Sequence, residues 1–157
     1  MSRAFIGLGA NLGPALETLR QAAEQLAAHP GITAFQLSSL YRSKPVDALG
    51  PDYVNAVARF YTTLEPYALL TLLQETEHTY GRQRPYRNAP RTLDLDLLLY
   101  EGIQLNTAVL TLPHPRMHLR AFVLQPLHDL EPTLTLEQGS LAALLKACGR
   151  QEIERLL

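Results

Sequence analysis

A chain of 157 residues, 46% hydrophobic and 18% charged, can bury one sizeable core and is too apolar to be disordered. A formal net charge of -1 argues against a generally basic, nucleic-acid-gathering surface, and no apolar run approaches the roughly 18 residues of a membrane span. The single cysteine, Cys148, excludes an intramolecular disulfide. Together with the short apolar run after Met1, it leads us to expect a cytoplasmic protein forming one domain over 1–157, with Cys148 packed on a terminal helix.

Arg3 to Gly9 reads as a first strand. Gly7, Gly9 and Gly13 read as punctuation of a tight turn around Ala10-Asn11-Leu12, and a helix follows from near Pro14. GLGANLG lacks the Lys-Ser/Thr of a Walker A loop and does not fit GxGxxG, so a phosphate loop is not assigned. Leu16, Leu19, Ala22, Ala23, Leu26 and Ala27 recur at helical spacing and are expected to face the core before Pro30-Gly31 stops the helix. Ile32 to Tyr41 reads as a second strand, and residues 42–51 as a long Pro/Gly loop able to act as a lid. Tyr53 to Thr63 alternates as a strand with Tyr53, Asn55, Val57, Arg59 and Tyr61 on one face. There an aromatic ring beside an amide that donates and accepts suits a flat heterocycle.

Pro66 fits a helix start, and the helix runs to Tyr80 with Leu69, Leu70, Leu72 and Leu73 inward and Gln74 and Glu77 sharing a face. Gly81 ends it. Arg82, Arg84, Arg87 and Arg91 then crowd a loop broken by Pro85 and Pro90, and this loop runs into PRTLDLDLLLY. In that strand Asp94 and Asp96 share one face and Leu93, Leu95, Leu97 and Leu99 the other, with the aspartate Cα atoms roughly 6.5 to 7 Å apart. Carboxylates at that spacing can bracket one divalent cation or a pair, and the guanidinium forks upstream match phosphate oxygens. The pattern points to a polyphosphate with magnesium.

Glu101-Gly102 marks a hairpin into Ile103-Gln104-Leu105 as a paired edge strand. In the Pro-flanked stretch Leu110 to Arg120, His114 and His118 lack the HExxH order of a zinc helix. A short helix is expected over Phe122 to Leu130, and a terminal helix from about Ser140 carries Leu141, Leu144 and Leu145 but no visible chemistry.

PRTLDLDLLLY, the downstream LPHPRM with Arg120 and Phe122, and YVNAV resemble the hydroxymethyldihydropterin pyrophosphokinase family of the folate pathway, across nearly the whole chain. The resemblance implies an α+β, ferredoxin-like α/β/α sandwich with a central, mainly antiparallel sheet, in agreement with the β-α-β-β-α-β order read above. It also implies transfer of a diphosphate from ATP to 6-hydroxymethyl-7,8-dihydropterin with release of AMP, by a monomer that uses two magnesium ions and neither nucleic acid nor membrane. Asp94 and Asp96 would hold the metals, and Arg82 and Arg91 would steady the transferring diphosphate. Gln74, Glu77, Arg84, Thr111, His114 and Arg120 would line the nucleotide side. Tyr53 and Phe122 would sandwich the pterin, Asn55 would read its polar edge, and Ser43 and Val46 would add loop contacts. This chain departs from the family pattern in an Arg loop one residue shorter, in Asn88 where Trp is common, in Val109 at an often basic position, and in Ser43-Lys44 for Thr-Pro.

Two other classes use part of the same residues. A two-metal phosphoesterase would employ Asp94, Asp96 and the arginines without needing Tyr53, Asn55 and Phe122, and would release AMP without pterin. A non-catalytic ferredoxin-like module is the third; neutral charge and the absence of an exposed aromatic strand of the RNA-binding type argue against RNA as its ligand.

Overall fold

The computed structural model describes residues 1–11, 14–44, 52–80, 93–149 and 151–156. Strand β1 (Ser2–Ala10) is the central element, and Gly7 and Gly9 lie within it rather than in a turn. Alternation sends Ala4, Ile6, Leu8 and Ala10 to one face, where all are buried, and Phe5, Gly7 and Gly9 to the other. Pro14 caps helix α1 (Ala15–Ala28), which buries Leu19, Ala22, Ala23 and Leu26. Ala27 does not join them: it is exposed, one position past a narrow stripe in the last turn.

The strand expected over Ile32 to Tyr41 is two, β2 (Ile32–Leu37) and β3 (Tyr41–Ser43). Two features break it, one local and one distant in sequence. Ala34 takes a φ of 53°, which shifts the register, and Ser38 pairs with Val57 through two bonds, its N–H donating to Val57 O at 2.8 Å and its Oγ accepting from Val57 N at 2.9 Å. Strand β4 (Tyr53–Thr62) pairs with both pieces, helix α2 (Pro66–Tyr80) crosses back, and β5 (Asp94–Tyr100) lies along the far side of β1. Leu99 does not share a face with Leu93, Leu95 and Leu97. The ladder slips between Phe5 and Ile6, so Leu99 turns toward the opposite cluster.

Beyond β5 the chain leaves the sheet. Gly102 adopts a φ of 74° and Ile103 N donates to Tyr100 O, after which β6 (Leu105–Asn106) pairs with β7 (Thr111–Leu112) and not with β5, so the expected edge strand is a separate hairpin. A 3-10 turn, Met117–Leu119, leads into helix α3 (Ala121–Leu130). A second hairpin, β8 (Thr135–Leu136) with β9 (Gly139–Ser140), precedes helix α4 (Leu141–Cys148), whose first turn is capped by Ser140 Oγ accepting from Ala143 N at 3.2 Å. The chain then returns as strand β10 (Ile153–Arg155), which periodicity did not predict.

The main sheet runs β10-β3-β4-β1-β5 with β2 also on β4, and every pair is antiparallel. Helices α1 and α2 cover one face through Leu19, Leu26, Leu69 and Leu73, and α3 and α4 cover part of the other through Leu124, Leu127 and Leu141 against Phe5, Val57 and Leu98. This is the expected ferredoxin-like sandwich. No helix among the described residues is long and apolar enough to cross a membrane.

The layers are also tied by polar groups. The Tyr41 phenol donates to Asp129 Oδ2, joining β3 to the last turn of α3. Burial first, and then the bond to Asp129 and its charge, push this phenol from 10.0 up to about 12. An acid whose folded value is raised contributes stability below its unfolded value and loses that contribution as pH climbs through the folded one. Urea midpoints are therefore expected to fall between pH 10 and about 12, with a slope that Tyr41→Phe reduces.

Candidate active site

The open part of the second sheet face is set by β1. Gly9 pairs with Asn55 on one side and Asp94 on the other, and Gly7 pairs with Val57 and Asp96. Paired residues point to the same face of a sheet, so Asn55, Gly9 and Asp94 form one row across three strands. At about 4.8 Å per strand step, Asn55 and Asp94 stand roughly 10 Å apart with no side chain between them. At this end, bordered by the first turn of α3, a cleft of about 540 Å³ opens.

One side of the cleft is a polar reading edge. Ser43 on β3 donates from Oγ to Asn55 Oδ1 at 2.5 Å, and both residues are buried. With its carbonyl engaged, the Asn55 amide turns its Nδ2 toward Gly9, where a Cβ would stand 3.1 Å from it. Tyr53 and Phe122 line the same cleft, one from the start of β4 and one from the first turn of α3.

The other side is charged. Asp94 and Asp96 are half-buried on β5, while Leu95 between them turns into the core. Arg120 bridges the two sides: its Nη1 lies 4.0 Å from Asp96 Oδ2, and its guanidinium lies 5.6 Å from the centre of the Phe122 ring. Near Asp96, burial lowers the affinity of His114 for a proton, opposed by the Asp96 charge and reinforced by Arg120 and Arg116. A neutral ring agrees with His114 Nδ1 accepting from Arg116 N at 3.1 Å.

Seven predicted site residues thus meet in one cleft: Ser43, Tyr53, Asn55, Asp94, Asp96, Arg120 and Phe122. Thr111 and His114 do not line it. They line a neighbouring groove of about 660 Å³ beyond β5, with Leu99, Leu105 and Leu136 among its walls. Gln74 is exposed on α2. Val109, noted as a departure, is 70% exposed. Val46, Arg82, Arg84, Arg87, Asn88 and Arg91 lie outside the described residues.

Glu77, which the resemblance places with Gln74 on the nucleotide side, lines neither the cleft nor the neighbouring groove. It is buried, and its Oε2 accepts from Leu95 N at 2.8 Å, which pins β5 between the two aspartates. Glu77→Ala is expected to strand that buried amide and cost about 1–3 kcal/mol, with activity falling because the aspartates lose their anchor. Glu77→Gln keeps an acceptor and should lose less; urea denaturation and turnover of both variants check this.

Gly7, Gly9, Lys44, Arg116 and Gln151 line the cleft without having been assigned to it. The two glycines were legible in principle, since Gly at alternate positions of a strand empties one face. Lys44 and Arg116 had only proximity to Ser43 and His114 as a signal. Gln151 had none.

The donor set fits magnesium. Two carboxylates are hard oxygen ligands, and among the described residues no group of three or more His, Cys, Asp and Glu gathers that would suggest zinc or an all-protein cage. Magnesium commonly takes one or two carboxylates and completes its shell from water and substrate phosphates, which a partly open pair beside arginines permits.

Comparison with known proteins agrees with this architecture. Residues 5–132 match the family model for 7,8-dihydro-6-hydroxymethylpterin-pyrophosphokinase. A 2-amino-4-hydroxy-6-hydroxymethyldihydropteridine pyrophosphokinase of Pseudomonas aeruginosa is 42% identical over 158 residues, covering 99% of this chain and 98% of that protein. One of Synechocystis is 44% identical over 129 residues, covering 82% of this chain and 66% of that protein. Among solved structures, an HPPK-DHPS in complex with substrates superposes with a TM-score of 0.71 at 12% identity, over 93% of this chain and 43% of that one, a likeness of fold. The ferredoxin-like sandwich, the full-length similarity and the matched residues together show that the chain belongs to the 7,8-dihydro-6-hydroxymethylpterin-pyrophosphokinase family.

Proposed function

We propose that the cleft over Gly7 and Gly9 is where this chain carries out the reaction of its family, transfer of a pyrophosphoryl group from ATP to the hydroxymethyl oxygen of 6-hydroxymethyl-7,8-dihydropterin in folate biosynthesis, with release of AMP. The observation that carries the assignment is the row Asn55, Gly9, Asp94, which sets a polar reading edge and a carboxylate pair roughly 10 Å apart across bare backbone. A bicyclic ring with a short arm spans that distance.

In this assignment Tyr53 and Phe122 hold the ring, and the Asn55 amide, oriented by Ser43, donates to its polar edge. The hydroxymethyl arm then passes over Gly9 toward Asp94 and Asp96. Two magnesium ions bound at those carboxylates would neutralise the triphosphate and make its β-phosphorus attackable. The chain's own contribution is alignment and charge: Arg120 next to Asp96, with Arg116 on the cleft wall, faces the phosphates. By the family resemblance, Arg82, Arg84 and Arg91 would also serve the phosphates. Thr111 and His114 would contact the nucleotide from the neighbouring groove, which adjoins the cleft at β5. We take the working form as a monomer of one domain, and a reducing cytoplasm suits its single cysteine.

The test is incubation of the protein with ATP, magnesium and the reduced hydroxymethylpterin, following AMP and pterin diphosphate. Equal amounts of both products are expected. AMP or ADP formed at the same rate without pterin would instead favour a phosphoesterase.

A further inference from the structure

The segment after α4 reaches both walls of the cleft. On one side β10 runs antiparallel to β3, placing Ile153 opposite Ser43 and Arg155 opposite Tyr41, and Leu156 N extends the ladder by donating to Leu40 O at 2.8 Å. Two ion pairs follow the same seam, Lys44–Glu152 at 3.5 Å and Arg42–Glu154 at 3.9 Å. On the other side the Gln151 amide clamps the backbone around Arg120. Its Nε2 donates to Leu119 O at 2.7 Å and its Oε1 accepts from Ala121 N at 2.9 Å.

Those two bonds do more than cap a helix. Leu119 and Ala121 flank Arg120, and Ala121 precedes Phe122, so one side chain restrains the backbone carrying both the cation beside Asp96 and the ring in the cleft. Gln151 itself lines the cleft. The strap therefore joins the Ser43 wall to the Phe122 wall through two residues' reach. It lies beyond the residues matched by the family model, 5–132.

We infer that residues 151–156 form a strap that sets the width of the ring slot, with Gln151 as a positioning residue for Phe122 and Arg120. The inference rests on the ring slot being where the pterin binds. Gln151 acts without touching the reacting atoms: a backbone held at two points on either side of Arg120 keeps Phe122 at a fixed distance from Ser43 and Asn55 before the ligand arrives, so less ordering remains for binding to accomplish.

The experiment uses the full chain, which has no tryptophan, so the pterin's own fluorescence reports binding directly. Hydroxymethylpterin is titrated with magnesium and a non-hydrolysable ATP analogue present, and the analogue alone is titrated by calorimetry. Gln151→Leu removes both bonds at similar volume and is expected to weaken pterin binding about tenfold, with the analogue changed far less and Tm within a few degrees of the parent. Gln151→Glu keeps the acceptor for Ala121, loses the donor for Leu119, and should fall between the two. Pterin affinity of Gln151→Leu within twofold of the parent overturns the inference, as does parallel weakening of pterin and analogue together with a large fall in Tm. A parent protein that binds the analogue but not pterin overturns the proposed function and this inference with it.

Discussion

Asp94→Ala and Asp96→Ala are each expected to lower kcat/KM for pyrophosphoryl transfer by about 10²- to 10³-fold or more, the scale seen when a group that stabilises transition-state charge is removed. The aspartates are half-buried on one face of β5, held by a strand whose other face packs Leu93, Leu95 and Leu97 into the core, so their spacing is part of the fold. In the proposed assignment, either substitution would leave one carboxylate where two would hold magnesium against phosphate. Asp96→Ala also removes the partner of Arg120 and should change the apparent KM for ATP more than Asp94→Ala does. Steady-state AMP release at several magnesium concentrations checks both. If either variant kept a tenth of the parent activity at saturating magnesium, the assignment of that carboxylate to the metal would fail. Chelation of magnesium in the parent should reproduce the loss reversibly.

Gly9→Ala is the second large effect. The added Cβ would stand 3.1 Å from Asn55 Nδ2, and Asn55 cannot retreat freely because its Oδ1 is held by Ser43 and its backbone by the β4 ladder. Crowding of this kind costs about 1–3 kcal/mol, and here it falls on the amide proposed to read the pterin and on the proposed path between ring and carboxylates. The expected outcome is a pterin KM raised by about 5- to 100-fold, with affinity for an ATP analogue nearly unchanged. Gly7→Ala is the comparison. Its Cβ would meet Leu98 at 3.7 Å, an ordinary contact, so a much smaller change is expected. Equal effects at the two glycines would show that the row Asn55, Gly9, Asp94 is not the path of the substrate.

Most of the architecture was legible because local patterns and burial coincide. The alternation of β4, the stripe of α1 and the start of α2 at Pro66 each appear where periodicity places them. Two exceptions turn on contacts distant in sequence: Ser38 leaves the β2 ladder for Val57, and Leu99 turns over at a slip in its pairing with β1. Neither partner is visible from a window of neighbouring residues. Leu105 pairs locally instead, with Leu112 in a hairpin of its own.

For the site, the spacing of Asp94 and Asp96 and the motifs around Asn55 and His114 were enough to name a chemistry, because a carboxylate pair in an apolar strand is costly without a use. Sequence alone determined which residue types are available and, except past the register slip at Leu99, on which face of β5 they stand. The tertiary structure decided the rest. It placed Gly9 between Asn55 and Asp94, sent Thr111 and His114 to the neighbouring groove, turned Glu77 inward onto Leu95 N, and brought Gln151 back to the cleft. The physical reason is that side-chain direction along a strand follows from local geometry, whereas adjacency between strands depends on register across residues far apart in the chain.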